Sequence, residues 1–340
     1  MTYLSTNNQF SIVLPVKNGG NYVKECVSSI LAQTYTDFNL VILDNNSTDG
    51  TLEWITALQD KRIIIYPSAV NLNIQDNWAR IVTISCNEFM TCIGHDDLLA
   101  PHYLEVMDQL IKKYPDASLY QTHFQYINSK GDLLKNCKLM DELQLAPEFI
   151  IAHCLQSLDS TGTGYVMRSA DYKKLGGIPT DYPGFIFADY ELWISLILLS
   201  YKATAPEICF SYRINESASY FMEGEKYQKS FFHYLDFLKK VIAKDSACNI
   251  AFQQYGLAMF NYYCRSLSHR LLKSSPGSNK TSVYKFVQQC RMYAKAMIPS
   301  KPFRPLLKPA IAAAVILDNK IGRKIFYFFK SFLFPQKRLN

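Results

Sequence analysis

Ser11-Ile12-Val13-Leu14-Pro15-Val16, stopped at once by Lys17-Asn18-Gly19-Gly20, is the stretch from which the fold is read. The apolar run is short for a helix and is closed by turn formers, which describes a buried strand. Val23, Val27, Ile30 and Leu31 follow at helical spacing. Outward from there the alternation continues. A strand over 39–43 breaks at Asp44-Asn45-Asn46-Ser47-Thr48-Asp49-Gly50, and a helix with Leu52, Ile55, Ala57 and Leu58 comes next. The pattern then predicts a strand over 62–66, a helix over 74–85, a strand over 88–93 and a helix over 102–114. Strand and helix in short alternation predict an α/β fold, a mostly parallel sheet with helices on both faces. Such sheets bind ligands beyond the carboxyl ends of their strands. Three polar clusters stand at those ends: Lys17-Asn18, Asp44 to Asp49, and His95-Asp96-Asp97.

After Ser118, short strands (118–127, 165–168, 208–213) mix with helices near 147–157 and 189–200, and beyond about residue 222 the pattern is helical and basic. The charge follows the same division. Of 340 residues carrying a net +7, residues 1–240 hold 19 Lys/Arg against 27 Asp/Glu, and residues 241–340 hold 17 against 2. Composition thus predicts an α/β domain over 1–230 and a helical basic region over 231–340. A basic section on an acidic body points to a polyanionic surface, nucleic acid or anionic lipid. With 14% aromatic residues and only 14 Gly and 14 Pro, a disordered or collagen-like chain is excluded. The nine Cys contain no C-x-x-C pair, which fits free thiols in a reducing cytosol better than a disulfide or zinc framework. The opening residues lack a basic segment followed by an apolar one, so no secretory leader is expected.

The carboxylates at the strand ends are the candidates for chemistry. Asp96-Asp97 ends an apolar strand with no turn residue between, and such a pair suits Mg²⁺ or Mn²⁺ shared with substrate phosphates. Capping of the following helix, near Pro101, is the structural alternative. Asp49 is well explained as a helix cap, whereas Asp44 is separated from that helix and suits hydrogen bonding to a nucleobase or ribose. Asp189 and Glu191 open an apolar helix, where acidic residues are often dipole partners only. A general base set beside Tyr182, Phe185, Phe187 and Trp193 is the functional alternative. Gly162-Thr163-Gly164 fails as a dinucleotide fingerprint, since Met167 stands where a third Gly is needed and a strand follows; it reads instead as a small-residue loop beside the acceptor site.

Five stretches, in order, carry a resemblance. They are Ser11 to Asn18 with Val27-Ser28-Ser29-Ile30-Leu31-Ala32-Gln33-Thr34-Tyr35; Val41 to Thr51; Gly94-His95-Asp96-Asp97-Leu98-Leu99-Ala100-Pro101; Ala188-Asp189-Tyr190-Glu191-Leu192-Trp193; and Tyr212-Arg213-Ile214-Asn215-Glu216-Ser217. Over roughly residues 10–220 the chain resembles the family 2 glycosyltransferases, inverting enzymes of the GT-A fold with a Rossmann-like sheet. The resemblance implies a UDP-, GDP- or dTDP-sugar donor and a divalent metal, Mg²⁺ or Mn²⁺. It implies that Pro15, Val16 and Asn18 cradle base and ribose, that Asp44 reads the base, and that Asn77 faces the donor. Asp96 would bind ribose or metal, Asp97 the metal, and Asp189 would take the acceptor proton. Three positions depart from the family pattern: Asn45 and Ala188 stand where acidic residues are usual, and Asn215 where many members have His. Glu191 is therefore the substitute candidate for the base.

The last forty residues complete the reading. Ile321, Ile325, Phe328, Phe329, Phe332 and Leu333 fall on one side of a helical wheel, and Lys320, Arg323, Lys324 and Lys330 on the other. That is the pattern of a helix lying in an anionic membrane interface. Packing on the α/β body is the alternative, and no nucleic-acid motif is present. Together these features predict a peripheral enzyme on the cytoplasmic face of the inner membrane, acting on a glycan acceptor that is lipid-linked, in surface-polysaccharide synthesis. Sugar-phosphate nucleotidyl transfer and a non-catalytic nucleotide-binding module are the competing functions.

Overall fold

The computed structural model describes residues 10–214, 224–273 and 282–333. They fall into two compact units. One holds the chain to Ala146, then Asp159–Asp181 and Ala188–Asn215; the other holds Pro147–Leu158, Tyr182–Phe187 and the remainder. No composition shift marks the two short segments that join the second unit.

The first unit opens with β1 (Phe10–Val16), α1 (Gly20–Leu31), β2 (Phe38–Asp44), α2 (Thr51–Ala57), β3 (Ile63–Ile65), α3 (Ile74–Ala79), β4 (Phe89–Cys92), β5 (Leu98–Leu99) and α4 (Tyr103–Lys113). It continues through β6 (Leu119–Ile127), β7 (Leu133–Asn136) and β8 (Leu143–Gln144), beyond which α5 (Ala146–Leu155) enters the second unit. Then come β9 (Tyr165–Arg168), α6 (Ser169–Lys174), α7 (Ala188–Ile197) and β10 (Lys202–Arg213). The strands lie in the order β3-β2-β1-β4-β9-β6-β10-β5, with β7 on β6 and β8 on β10. The pairs β3-β2, β2-β1 and β1-β4 are parallel, as the alternation predicts. Beyond β4 the sheet is mixed, because β9 runs antiparallel to both β4 and β6. Buried strands read alike in either direction, so periodicity carries no signal for that reversal.

All seven residues of β1 are buried, since helices cover both faces of the sheet. Phe10, Ile12, Leu14 and Val16 share one core with Val23, Cys26, Val27 and Ile30 of α1 and with Tyr103, Leu104 and Met107 of α4. The chain moves from β1 outward to β2 and β3, then crosses back to β4 on the other side. That reversal opens a crevice at the carboxyl ends of β1 and β4, where α/β sheets place ligands.

The elements β5, β7, β8 and α6 are not among those expected, and two others differ in their bounds. The helix expected over 74–85 ends at Ala79 and tightens into a 3₁₀ turn over Arg80–Val82, where the β-branched run Ile81-Val82-Thr83 disfavours continuation. β10 starts at Lys202, ahead of the expected 208; its pairing with β6 slips between Ala205 and Ile208, so Pro206 and Glu207 sit in an irregularity that reads as a loop.

The second unit is helical: α8 (Gly224–Lys244), α9 (Ser246–Lys273), α10 (Val283–Met297), α11 (Pro309–Ile316) and α12 (Lys320–Leu333) join α5. Aromatic rings fill it. Phe187 stacks on Tyr234 at 5.3 Å, and His153 lies between the hydroxyls of Tyr234 and Tyr263, each at 2.9 Å. Burial pushes the His153 imidazole down to about 3, so it is a neutral core residue. Among the described residues no helix is long and apolar enough to cross a membrane.

Candidate active site

The crevice is built first by where strands end. β4 pairs with β1 only from Phe10 to Val13, so Pro15, which has no N–H to offer, leaves no ladder bond unmade on that side. β2 stays in register to the last pair, Val16 with Asp44. The two loops that follow are tied together. Asn18, at φ 51°, accepts the Thr48 N–H at 2.8 Å through Oδ1 and donates its own N–H to Ser47 Oγ at 3.0 Å. The Gly19 and Gly20 N–H groups reach Thr51 Oγ1 and Asp49 Oδ2, at 3.1 and 3.0 Å. Asn18 is exposed at the lip of this double loop, while Pro15 and Val16 are buried beneath it.

Asp44 forms the floor. It is fully buried; Oδ2 accepts the Ser47 N–H at 3.2 Å, and Oδ1 has no partner. A buried acceptor left unmade costs on the order of 1–3 kcal/mol, so a ligand donor supplied to Oδ1 recovers that cost. Asn45 uses both ends of its amide on Leu72, donating to its carbonyl and accepting its N–H, each at 2.8 Å. A carboxylate accepts only, which explains an amide here. The resemblance implies that Asn77 faces the donor. It is buried, its Nδ2 donates to the Leu43 carbonyl at 3.3 Å, and its Oδ1 accepts from Arg80 at 2.9 Å. Arg80 in turn donates to the carbonyls of Asp44 and Tyr66, at 3.1 and 2.5 Å. Asn77 and Arg80 therefore hold the end of β2.

The second cluster follows β4. Asp97 is 2% exposed and both its oxygens are engaged: Oδ1 accepts the Arg213 N–H at 3.0 Å, Oδ2 the Thr163 hydroxyl at 2.9 Å. Burial, then the charge of Asp96, pushes its carboxyl well above the usual range. Asp97, the residue expected at a metal, thus has both carboxylate oxygens engaged by protein donors. Asp96 and His95 are only half-buried. Gly94 makes the arrangement possible, because a Cβ there would lie 2.8 Å from Asp97 Oδ2 and 3.0 Å from Asp96 Oδ1. Among the described residues no three His, Cys, Asp or Glu side chains gather into a metal cluster. A Mg²⁺ or Mn²⁺ ion needs only one or two carboxylates when substrate phosphates complete its shell. Asp96 fits that requirement.

Arg213 was not singled out by sequence reading, and it organises this end. Its side chain is fully buried, pairs with Glu25 at 2.6 Å, lies 4.7 Å over the Tyr22 ring and donates to the Asp96 carbonyl at 2.7 Å. Further bonds reach the carbonyls of Asn128 and Ser129, at 3.3 and 3.2 Å. The signal available was its place in the fifth family-like stretch.

The loop 161–164 joins the carboxylate pair to the candidate base. Thr163 holds Asp97; a Cβ on Gly162 would lie 4.0 Å from the Asp189 Cβ; and Thr161 accepts the indole N–H of Trp193 at 3.1 Å. Trp193 is one turn along α7 from Asp189 and stacks on Tyr165 at 4.2 Å. Asp189 is half-buried, and burial pushes its carboxyl up to about 6, opposed by the N–H of Tyr190 and its own. Tyr212 reports the convergence: after burial, the charges of Asp97, Asp96 and Asp189 all raise its phenol. Glu191 is half-buried on the same helix. Asn215 lies outside the described residues.

Comparison with known proteins follows this geometry. The family model described as glycosyl transferase family 2 matches residues 11–167. The glycosyltransferase GlyG of Streptococcus pneumoniae is 26% identical over 124 residues, 36% of this chain and 41% of its own length. WfgD of Escherichia coli, a UDP-Glc:α-D-GlcNAc-diphosphoundecaprenol β-1,3-glucosyltransferase, is 24% identical over 211 residues, 61% of this chain and 78% of its own. Two further curated relatives are spanned over 64% and 46% of their lengths. The crystal structure of Staphylococcus aureus TarS residues 1–349 in complex with UDP-GlcNAc superposes with a TM-score of 0.63 at 15% identity, covering 95% of this chain and 92% of that one. The α/β unit thus has the GT-A type of fold, and residues 11–167 match the family 2 glycosyltransferase model.

Proposed function

We propose that the chain is an inverting, metal-dependent glycosyltransferase that moves one sugar from a nucleoside diphosphate donor to a hydroxyl of a lipid-linked glycan. The observation that supports this best is the orphaned Asp44 Oδ1 at the end of β2, alongside the loop 161–164, which binds Asp97 through Thr163 and approaches Asp189 at Gly162. In this reading Asp44 accepts a hydrogen bond from the nucleobase, with Pro15, Val16 and Asn18 forming the rim over base and ribose. Asp96 holds the metal, whose charge would neutralise the departing diphosphate. Asp97 and Arg213 fix Asp96 in place. Asp189 accepts the proton of the acceptor hydroxyl as its oxygen attacks the anomeric carbon and the bond to the diphosphate breaks. A carboxyl near 6 is ionised at neutral pH yet basic enough for that role.

The acceptor and location are carried by the second unit. On α12, Ile321, Ile325 and Phe328 are 72, 44 and 69% exposed, an apolar stripe turned to solvent. Arg323 does not belong to the outer basic face, since it is buried against Asp318 at 2.6 Å. Lys320 and Lys324 remain exposed beside the stripe, and the side chains of Phe329, Lys330, Phe332 and Leu333 lie outside the described residues. This supports peripheral attachment to an anionic cytoplasmic leaflet, where lipid-linked acceptors are met. A screen of nucleotide sugars with Mg²⁺ or Mn²⁺ tests the reading: nucleoside diphosphate release is expected, and pyrophosphate release would select nucleotidyl transfer instead.

A further inference from the structure

We propose that a basic cleft between α10 and the segment 299–304 binds the phosphate headgroup of a membrane lipid. The proposal rests on the membrane reading above and adds a defined site to it. The cleft has a volume of about 540 Å³ and is lined by Arg291, Lys295, Lys301 and Arg304 over a floor that includes Ile298 and Phe303. An adjoining cleft of about 300 Å³ shares Arg304 and adds Leu307 and Lys308.

Among the described residues no carboxylate lines either cleft. The two acids of residues 241–340 are already engaged: Asp245 accepts the Cys248 N–H at 2.7 Å, and Asp318 binds Arg323 and the Val283 N–H, each at 2.6 Å. Of the lining cations, Arg291 donates to the neutral Gln288 side chain at 3.2 Å and Lys301 to the Gln254 carbonyl at 3.1 Å. Like charges are thus gathered on a backbone stiffened by Pro299, Pro302 and Pro305, with no acid among the described lining residues; Asp236 of α8 is taken up by the Tyr293 hydroxyl at 2.9 Å. An anion relieves that repulsion.

The surroundings select the kind of anion. Met292 and Leu307, 71 and 72% exposed, stand at the rims, where a hydrated free phosphate gains nothing and a lipid's glycerol and acyl carbons are covered. The lining aromatic, Phe303, is 9% exposed and offers no stacking platform for nucleobases.

The test uses the full chain with phosphatidylcholine vesicles, with and without one-third phosphatidylglycerol. At about a factor of five per cation near an anionic surface, the pairs Arg291→Gln/Lys295→Gln and Lys301→Gln/Arg304→Gln should each lower partitioning about thirtyfold. All four residues are exposed, so an unchanged Tm is expected, and donor hydrolysis in solution should not move. Arg291→Lys/Arg304→Lys, which keeps the charge, should retain partitioning. Unchanged partitioning of both Gln pairs would overturn the site. So would competition by millimolar inorganic phosphate, which would mark a free-anion site. Loss of partitioning by Ile321→Ser/Phe328→Ser alone, with the Gln pairs unaffected, would leave membrane attachment standing and remove the cleft from it.

Discussion

At the scale of single residues, the two aspartates of one dipeptide have opposite surroundings, and that difference makes a prediction. Asp96→Asn should remove metal-dependent binding of the nucleoside diphosphate by calorimetry. Asp97→Asn should lower stability by about 1–3 kcal/mol in urea unfolding, because an amide cannot accept from both the Arg213 N–H and the Thr163 hydroxyl. Equal loss of metal-dependent binding with no loss of stability in Asp97→Asn would return the metal to that residue. Asp44→Asn should weaken nucleotide binding about tenfold or more, since its lone buried oxygen is the acceptor offered to the base. Residue types and order were legible in the sequence; burial was not. Nothing in Asp96-Asp97 says which side chain turns inward, because that depends on Arg213 and Thr163, remote in the chain and brought close only by the sheet.

At the scale of elements, the loop 161–164 is the part whose role sequence reading found least. Its glycines mark a small-residue loop beside the acceptor site and say nothing of Thr163; Gly164 sits at φ 80° with a Cβ position 2.7 Å from the Phe210 ring. Gly164→Ala should therefore both lower Tm and reduce kcat, as the loop withdraws Thr163 from Asp97 and the Thr161 carbonyl from the Trp193 indole on α7. A kcat unchanged beside a lowered Tm would show that the loop is scaffold only. The parallel strands β1, β2 and β4 were legible because short apolar runs ended in polar turns. The start of β10 was not, because Pro206 and Glu207 interrupt its pattern.

At the scale of the whole molecule, the charge asymmetry between residues 1–240 and 241–340 separates two chemistries. Among the acidic part's carboxylates are those proposed for donor and acceptor. The basic part presents exposed apolar side chains and clefts of cations with no acid among the described lining residues. Partitioning to anionic vesicles should fall steeply as salt rises from 0.05 to about 0.5 M, while donor hydrolysis in solution changes little. Salt-independent partitioning would contradict an electrostatic contribution. The helical character of this part was legible from composition, whereas the recruitment of 147–158 and 182–187 into it was not, since aromatic packing against Phe187 and His153 leaves no local periodicity.

The proposed chemistry is tested most directly by nucleoside diphosphate release from a panel of UDP-, GDP- and dTDP-sugars, measured against pH for the native chain and for Asp189→Asn. The native chain should release the diphosphate from one donor class. Its kcat/KM should level off above pH about 6 and fall tenfold per unit below it, as the Asp189 carboxyl protonates. Asp189→Asn should bind the same donor with unchanged Kd and lose at least about a hundredfold in rate. Release that survives the substitution, with the native pH profile intact, would contradict the assignment of Asp189 as the base.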